Sequence, residues 1–153
     1  TAVGYGKAGS FEGFCSGGGI AQLGQVMAEE ALDREEIPSF CQSKGELFKV
    51  NARTIAEAAE KGDPLALKIY DIVADRLGQG LAILVDLLNP EKIVIGSIFL
   101  RQEKLLRPRM EKILNKESLE QSLSVVEVVP AGLGEKLGDY AAVSVGLRAY
   151  QKK

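Results

Sequence analysis

The chain has 153 residues, of which 46% are hydrophobic and 26% charged, a balance that is ordinary for one soluble globular domain. Its formal net charge of −2 disfavours broad nucleic-acid binding, which needs a cationic surface. The chain has no histidine, which argues against hydrolase triads and zinc sites because histidine is their usual base and ligand.

Cysteine usage and hydropathy predict a cytoplasmic protein. Cys15 and Cys41 lie far apart, with no spacing typical of metal or redox chemistry, and are expected to be reduced thiols. The apolar runs fall short of the roughly 18 residues needed to cross a membrane, and no signal peptide is visible. The sequence starts at Thr1 without an initiator methionine, so we expect it to be part of a longer protein.

The start of the chain is rich in glycine. Residues 1–10 have no apolar period and are expected to form a loop or the end of a hairpin. Ser10 can cap a helix that the glycines at 17–19 interrupt almost at once, and a longer helix is predicted to run to about Leu32. A glycine cluster before a helix can present backbone N–H groups to an anion or allow close helix packing, and the sequence leaves both open.

Two helices are predicted in the middle of the chain, after a polar surface connection over residues 33–50. Asn51 can cap a short helix over residues 52–60, whose alanines favour helical structure. Asp63 followed by proline is a strong start signal for a long helix that ends near Leu88.

Gly78 and Gly80 lie inside this long helix. A glycine there costs about 1 kcal/mol relative to alanine. We therefore expect something to pack closely against the backbone at these positions, and another helix is a commoner neighbour than a ligand.

Residues 81–100 are the most informative stretch of the sequence. The long helix becomes apolar nearly all round, which predicts burial, and residues 89–90 form an asparagine-proline turn. The unbroken β-branched run at residues 93–95 predicts a central strand covered on both faces. Gly96 and Ser97 end that strand with small residues. Ligands of open α/β sheets sit beyond the carboxyl ends of strands, so a flat ligand can approach the backbone here.

The last third of the chain predicts two helices and one strand. A helix is expected over residues 105–114, with Pro108 either kinking it or marking its start. The basic residues in this region are interleaved with glutamates, which favours a solvated helix face over an anion-binding patch. Residues 125–129 are a second β-branched run, and residues 135–150 are expected to form a tightly packed terminal helix. Two strands are few for an α/β domain, which again indicates a fragment of a larger fold.

Three segments, in this order, resemble motifs of the ROK family (repressors, open reading frames and sugar kinases). Residues 9–17, GSFEGFCSG, resemble its glycine–glutamate–serine-glycine segment. Residues 87–96, LLNPEKIVIG, resemble the asparagine-proline turn that leads into its adenosine-contacting strand, and residues 137–142, LGDYAA, resemble its closing helix. The resemblance covers essentially the whole chain, but only the C-terminal lobe of the family.

The resemblance implies a helix-rich α/β fold, the C-terminal ribonuclease-H-like lobe of an actin-like ATPase or sugar kinase, with residues 1–153 as a single domain. In that superfamily ATP lies between two such lobes. Glu12 matches the family glutamate that hydrogen-bonds a sugar hydroxyl. Gly96 and Ser97 match the glycine pair near the adenosine, with Ser97 in place of the second glycine, and Gly17 is also assigned to nucleotide binding.

The same resemblance implies what this chain lacks. The zinc-binding cysteines of the family fall at Val3, Tyr5 and Ser10, and their partner histidine is missing, so no zinc or other metal site is expected. The family's N-terminal phosphate-binding motif, catalytic aspartate and second phosphate loop have no counterpart. Phosphoryl transfer depends on those parts, so we assign no catalytic residue and expect this chain alone to be inactive. ATP with Mg²⁺ is expected as the cofactor of the complete enzyme.

The leading hypothesis is therefore the C-terminal lobe of a cytoplasmic, glucokinase-like sugar kinase that acts on a hexose. Two alternatives stay open: the lobe of a sugar-sensing ROK transcriptional regulator, whose upstream winged helix would bind DNA, and a non-catalytic dimerisation module. The resemblance also implies a homodimer as the assembly.

Overall fold

The computed structural model of the protein describes residues 2–151, apart from the side chains of residues 135 and 137. Over this range the α-helices are α1 Phe11–Cys15, α2 Gly17–Asp33, α3 Ala52–Glu60, α4 Pro64–Leu88, α5 Ile98–Glu117, α6 Glu120–Leu123 and α7 Leu137–Gln151. The strands are β1 Val3–Gly4, β2 Lys7–Ala8, β3 Lys92–Ile95 and β4 Glu127–Pro130. Short 3₁₀ helices cover Lys44–Lys49 and Gly134–Lys136. None of the helices within residues 2–151 has the length and hydropathy needed to cross a membrane.

Helix α4 is the centre of the hydrophobic core. It packs most extensively against α5, and it also contacts α1, α2 and α3. Its most deeply buried side chains, each at most 1% exposed, include Ile69, Tyr70, Val73 and Val85. Its ends are those that the sequence predicts, because Asp63 caps the first turn and Asn89 leaves the helix in the left-handed conformation, with φ 44° and ψ 54°. The structure therefore confirms the predicted bounds of α4.

The two glycines inside α4 allow close helix packing, as predicted. A Cβ atom on Gly78 would lie 2.7 Å from the backbone oxygen of Met110 and 2.8 Å from the Cβ of Ile113, both in α5. A Cβ atom on Gly80 would lie 2.2 Å from Cε2 of the Phe11 ring in α1. Each glycine thus makes room for a different neighbouring helix.

The strands form two separate two-stranded sheets. Strands β1 and β2 are an antiparallel hairpin, which is one of the two alternatives expected at the start of the chain. Strands β3 and β4 pair in parallel, with Ile93 opposite Val128. The prediction of a central strand at residues 93–95 is wrong for residues 2–151, because β4 is the only strand beside β3 and Val94 is 60% exposed. A β-branched run predicts a strand but does not say how many strands flank it.

The segment between α2 and α3 is more buried than a surface connection. Cys41 and Val50 are 1% and 2% exposed and belong to the main hydrophobic core. The Cys41 thiol is free, and it donates a hydrogen bond to the carbonyl oxygen of Ser43 at 3.4 Å. Two apolar anchors inside a polar segment are enough to hold it against the core.

Helix α5 begins earlier than predicted. It starts at Ile98, well before Pro108, which lies inside it. The backbone leaves the helical conformation at Gln102, with φ −120° and ψ 26°, and not at the proline. The apolar residues in the first turns of α5 lack a regular helical spacing, so the sequence pattern predicted only the later part of the helix.

The basic residues of α5 lie mostly on an exposed face, as predicted, with Arg107 as the exception. Its guanidinium pairs with Glu103 at 2.6 Å and Glu111 at 2.7 Å along the same helix. The same group donates hydrogen bonds of 3.2 Å to the carbonyl oxygen of Val128 in β4. Arg107 therefore connects the helix to the sheet.

The terminal helix α7 forms, but the prediction that it is tightly packed is wrong. Residues 138–151 are exposed, and the main contacts of α7 are with the 3₁₀ helix just before it. Its apolar side chains reach 61% exposure at Val143 and 71% at Val145. Small residues at helical spacing suit a packed helix, but residues 138–151 are exposed.

Candidate functional site

A cavity of about 150 Å³ brings together residues that the sequence singled out. Its lining includes Glu12 of α1, together with Gly96 and Ser97, which connect β3 to α5. The walls are apolar and come from α1, α4, β3 and α5: Phe11, Cys15, Val73, Leu77, Ile95, Ile98, Phe99 and Leu106. Residues far apart in sequence thus meet beyond the carboxyl end of β3, where ligands of α/β sheets bind.

Glu12 is held by the short helix α1, whose position depends on its neighbours. The Ser10 hydroxyl oxygen accepts a hydrogen bond of 3.1 Å from the N–H of Gly13 and so caps α1. The Ser16 hydroxyl likewise accepts one of 3.1 Å from the N–H of Gly19 and starts α2. A Cβ atom on Gly19 would lie 2.0 Å from the carbonyl oxygen of Gly13. Close packing therefore explains this glycine, and anion binding by the cluster stays a prediction.

The hairpin before α1 is tied to α2 by a side-chain amide. Oε1 of Gln22 accepts a hydrogen bond from the N–H of Val3, and Nε2 donates one to the carbonyl oxygen of Val3, both at 3.0 Å. The Ser10 hydroxyl donates to the carbonyl oxygen of Gly4 at 3.4 Å. Tyr5 at the hairpin turn is 97% exposed. Val3, Tyr5 and Ser10 are the positions at which the resemblance places the zinc ligands of the family. An apolar side chain, a phenol and a hydroxyl are not the usual ligands of zinc.

The turn between β3 and α5 has a backbone that favours glycine. Ser97 has φ 53° and ψ −120°, a region that strains any residue with a Cβ atom. Such strain costs on the order of 1–3 kcal/mol and persists only where the surroundings enforce it. The turn therefore keeps the shape of a glycine pair although Ser97 occupies its second position.

A larger cleft of about 470 Å³ lies on the other side of Ile98. It is formed by α3 and the start of α5, and its lining residues are Ala52, Arg53, Ala56, Glu57, Glu60, Ile98, Arg101 and Gln102. Ile98 lines both this cleft and the Glu12 cavity. A Cβ atom on Gly17 would lie 3.3 Å from Cδ1 of Ile98, so Gly17 contacts the wall between the two cavities.

Sequence reasoning missed the α3 side of this cleft. Ala52 and Ala56 lie one helical turn apart and are flanked by charged residues, which is also the pattern of an ordinary exposed helix. The one available signal was this pair of small residues beside Arg53 and Glu57. Only the packing of α5 beside α3 turns that face into a cleft.

Cys15 lines the Glu12 cavity but is not a reactive thiol. Burial, and to a lesser degree the charge of Glu12, raise the pKa of Cys15 to about 12. Thiolates are the nucleophilic and metal-binding form, and this thiol stays protonated at neutral pH. Among the described residues, no group of three or more cysteine and carboxylate side chains is placed to hold a metal ion.

A third cavity, of about 420 Å³, lies between the end of α2 and the start of α4. Three of its charged lining residues have partners, because Arg34 pairs with Glu36 at 3.1 Å and Asp63 caps α4. It is larger than the Glu12 cavity, but its lining includes none of the residues that the resemblance assigns to sugar or nucleotide binding. We therefore place the candidate site at the Glu12 cavity and the adjoining cleft.

Comparison with known proteins identifies the family of the chain. The ROK family profile matches residues 3–145. The DNA-binding transcriptional dual regulator NagC of Escherichia coli K12 is 31% identical over 134 residues, which are 84% of this chain and 33% of the regulator. A glucokinase of Aeropyrum pernix is 28% identical over 146 residues, which are 95% of this chain and 44% of the enzyme.

A solved structure shares the fold. The ROK family glucokinase from Streptomyces griseus, in complex with glucose and AMPPNP, matches with a TM-score of 0.63 and 22% identity, over 86% of this chain and 42% of that one. The helix-rich α/β fold is thus the one that the resemblance implied, and the chain spans less than half the length of each of these three proteins. On the match over residues 3–145, the chain belongs to the ROK family.

Proposed function

We propose that residues 1–153 form a single domain, the C-terminal lobe of a ROK sugar kinase, and that this lobe contributes sugar and adenosine contacts. One observation carries the proposal: Glu12 and the Gly96–Ser97 turn, remote in sequence, line the same cavity. The carboxylate can accept hydrogen bonds from a polyhydroxylated substrate, and a turn of small residues lets a flat heteroaromatic ring approach the backbone beside it. The residues outside this chain would supply the base and the phosphate-holding groups.

The sugar would bind at Glu12. An ionised carboxylate accepts hydrogen bonds through two oxygens and donates none, so it suits two neighbouring sugar hydroxyls. Glu12 is exposed at the mouth of the cavity, where a substrate can reach it, while the cavity walls are apolar. A few polar groups on an apolar pocket are the usual design of a small-molecule site.

The nucleotide would bind in the cleft between α3 and α5. Ala52 and Ile98 offer an apolar surface for a flat base, and Arg53 and Arg101 lie among the charged residues around it. Gly96 and Ser97 line the Glu12 cavity, which adjoins this cleft at Ile98, and would allow the adenosine close to the backbone there, with Gly17 in contact with Ile98. ATP with Mg²⁺ would supply the phosphoryl group and the charge that stabilises its transfer.

The test is a panel of hexoses with ATP and Mg²⁺, using the full-length parent protein. We expect ATP-dependent phosphorylation of one hexose, and Glu12→Gln should raise KM for that sugar by about 10- to 100-fold because a charged hydrogen bond is weakened. Glu120→Gln, at an exposed site on α6, is the matched control and should leave KM unchanged. Unchanged KM in Glu12→Gln would refute the sugar role of Glu12.

A sugar-sensing regulator is the second candidate, and the 31% identity to NagC over 84% of this chain favours it. A second relative with the same identity and coverage, from Escherichia coli O6:H1, is named N-acetylglucosamine repressor. If this candidate holds, the full-length protein should bind DNA, release it on addition of N-acetylglucosamine, and show no kinase activity. Light scattering on the same sample would test the proposed homodimer.

A further inference from the structure

We propose that the third cavity, between the end of α2 and the start of α4, is a second ligand site, for a small carboxylate with an apolar body. This α2–α4 cavity is separate from the Glu12 cavity and its adjoining cleft, because its lining shares no residue with theirs. The inference goes beyond the proposed function and does not depend on it.

The α2–α4 cavity has the size and surface of a small-molecule site. Its volume of about 420 Å³ lies within the range of roughly 300–1,000 Å³ that is usual for such sites. The apolar part of its lining is Ala31, Ile37, Pro38, Pro64 and Leu65. Ile37 is 64% exposed, so the apolar body of a ligand would remove from water a surface that folding leaves open.

The wall that carries Ile37 is held by hydrogen bonds on both sides. Before it, the N–H of Glu36 donates to the carbonyl oxygen of Ala31 at 2.9 Å and so ties the loop to the end of α2. After it, the N–H of Ser39 donates to the carboxylate of Asp63 at 2.7 Å and ties the loop to the start of α4. The cavity is therefore already formed, and a ligand would have little of the chain to order.

Lys68 is the charged lining residue that could bind a ligand. The lining has two positive and two negative side chains, of which Arg34 and Glu36 pair with each other and Asp63 accepts backbone hydrogen bonds at the start of α4. Over residues 2–151, Lys68 has neither an ion-pair partner nor a hydrogen-bond partner for its side chain, and it is exposed. Its ammonium group donates up to three hydrogen bonds and accepts none, which suits a carboxylate.

These features together favour one class of ligand. A small carboxylate with an alkyl or aryl body can place its charge on Lys68 and its apolar part against Ile37 and the two prolines. A sugar has no comparable apolar body, and an amine would meet the like charge of Lys68. A neutral alcohol with the same body keeps the apolar contact but loses the charge-assisted hydrogen bond, which makes it the informative comparison.

Ligand-observed NMR titrations of the full-length parent protein test the site, with phenylpropionate and the neutral alcohol phenylpropanol as probes. We expect phenylpropionate to bind in the millimolar range and phenylpropanol about three- to fivefold more weakly, as for an exposed ion pair. Lys68→Gln should weaken phenylpropionate binding by the same factor and leave phenylpropanol binding unchanged. Ile37→Ser should weaken the binding of both probes several-fold.

Two matched controls separate the cavity from the general surface. Lys112→Gln removes another exposed lysine, on α5, and Phe48→Ser removes another exposed apolar side chain; neither residue lines the cavity. Both controls should bind the two probes as wild type does. All four substitutions are at exposed positions, so Tm should change little in any of them.

Three results would overturn the inference. One is the absence of saturable binding of phenylpropionate, and another is a loss in a control as large as that in its counterpart. The third is an equal loss of both probes in Lys68→Gln, since the ammonium group would then not select a carboxylate. Sugar and nucleotide affinities should be those of wild type in Lys68→Gln and Ile37→Ser, so the test of this site and the test of the proposed function give separate answers.

Discussion

Ser97 is a residue whose backbone can be tested directly. Its φ of 53° strains a serine but not a glycine, so Ser97→Gly should raise the free energy of unfolding by about 1 kcal/mol. The greater freedom of glycine in the unfolded chain offsets part of the gain. Urea unfolding followed by circular dichroism measures the difference.

The same substitution at Ser124 is the control. Ser124 has φ −65° and ψ −18°, a conformation that any residue adopts. Ser124→Gly should therefore lower the free energy of unfolding by about 0.5–1 kcal/mol. A less stable Ser97→Gly variant would show that the turn needs serine for a reason other than its backbone.

Asp63 gives the protein a stability contribution that depends on pH. Its carboxylate accepts hydrogen bonds from the N–H groups of Ala66 at 2.9 Å and Ser39 at 2.7 Å. Burial raises the pKa of Asp63, but these bonds and one from Leu65 outweigh it and hold the pKa below its usual value. A lowered pKa stabilises the fold above the unfolded-state pKa of about 4, and the contribution fades as the pH falls below it.

Asp63→Asn should therefore lower the free energy of unfolding by about 1–2 kcal/mol at pH 7, because the amide replaces one accepting oxygen with a donor. The difference from wild type should shrink as the pH falls below about 4. Chemical unfolding at a series of pH values measures it. A difference that stayed constant down to pH 2 would contradict the role of the charge.

Single residues could be predicted where a short motif fixed their place. Glu12, Gly96 and Ser97 each lie in such a motif, and the structure brings all three to one cavity. The place of Arg53 and Glu57 beside a cleft could not be predicted, because both side chains are exposed and the cleft exists only where α5 lies beside α3. That information lies in the packing of α3 and α5, and the local sequence does not contain it.

Among the elements, α5 and β4 are connected by Arg107. The side chain is 27% exposed, pairs with Glu103 and Glu111, and donates to the carbonyl oxygen of Val128. Arg107→Ala should lower the free energy of unfolding by about 2 kcal/mol, because partly buried charge-assisted hydrogen bonds are lost together. Thermal and urea unfolding measure the loss.

Lysine at position 107 is the informative comparison. It keeps the charge, but it cannot reach two carboxylates and a carbonyl oxygen at once with a planar fork. Arg107→Lys should recover less than half of the stability lost in Arg107→Ala. Full recovery would show that charge alone matters at this position.

Whole elements were predicted best where both ends carried signals. The capping residues Asp63 and Asn89 bound α4, and its predicted range holds. The start of α5 was missed because Ser97 forms no side-chain cap and the first turns lack a clear apolar period. Strand β3 was predicted correctly, but its predicted burial on both faces was wrong. β-Branched residues favour a strand and do not determine what covers it.

For the molecule as a whole, α7 should be dispensable for the stability of the rest. Its main contacts are with the adjoining 3₁₀ helix. Ending the chain after Lys136 should therefore change Tm by no more than about 2 °C. Met110→Ala, at a fully buried core position, should lower Tm by about 10 °C or more and is the contrasting variant. A large loss on removing α7 would mean that it packs against the core in solution.

The molecule also has an exposed apolar surface around β3. Leu87, Leu88 and Val94 are 75%, 69% and 60% exposed. Parallel strands are normally covered on both faces, and these residue types suit such cover. We propose that residues of the full-length parent protein cover this surface, since the chain spans 33% of NagC and 44% of the Aeropyrum enzyme.

The hairpin that leads to Glu12 should be insensitive to changes in cellular conditions. Two hydrogen bonds between the Gln22 amide and the backbone of Val3, and one from the Ser10 hydroxyl, hold it. None of these groups titrates near neutral pH or is readily oxidised, and none depends on a metal ion that a chelator could remove. The approach to the carboxylate should therefore keep its shape through oxidative stress and metal starvation.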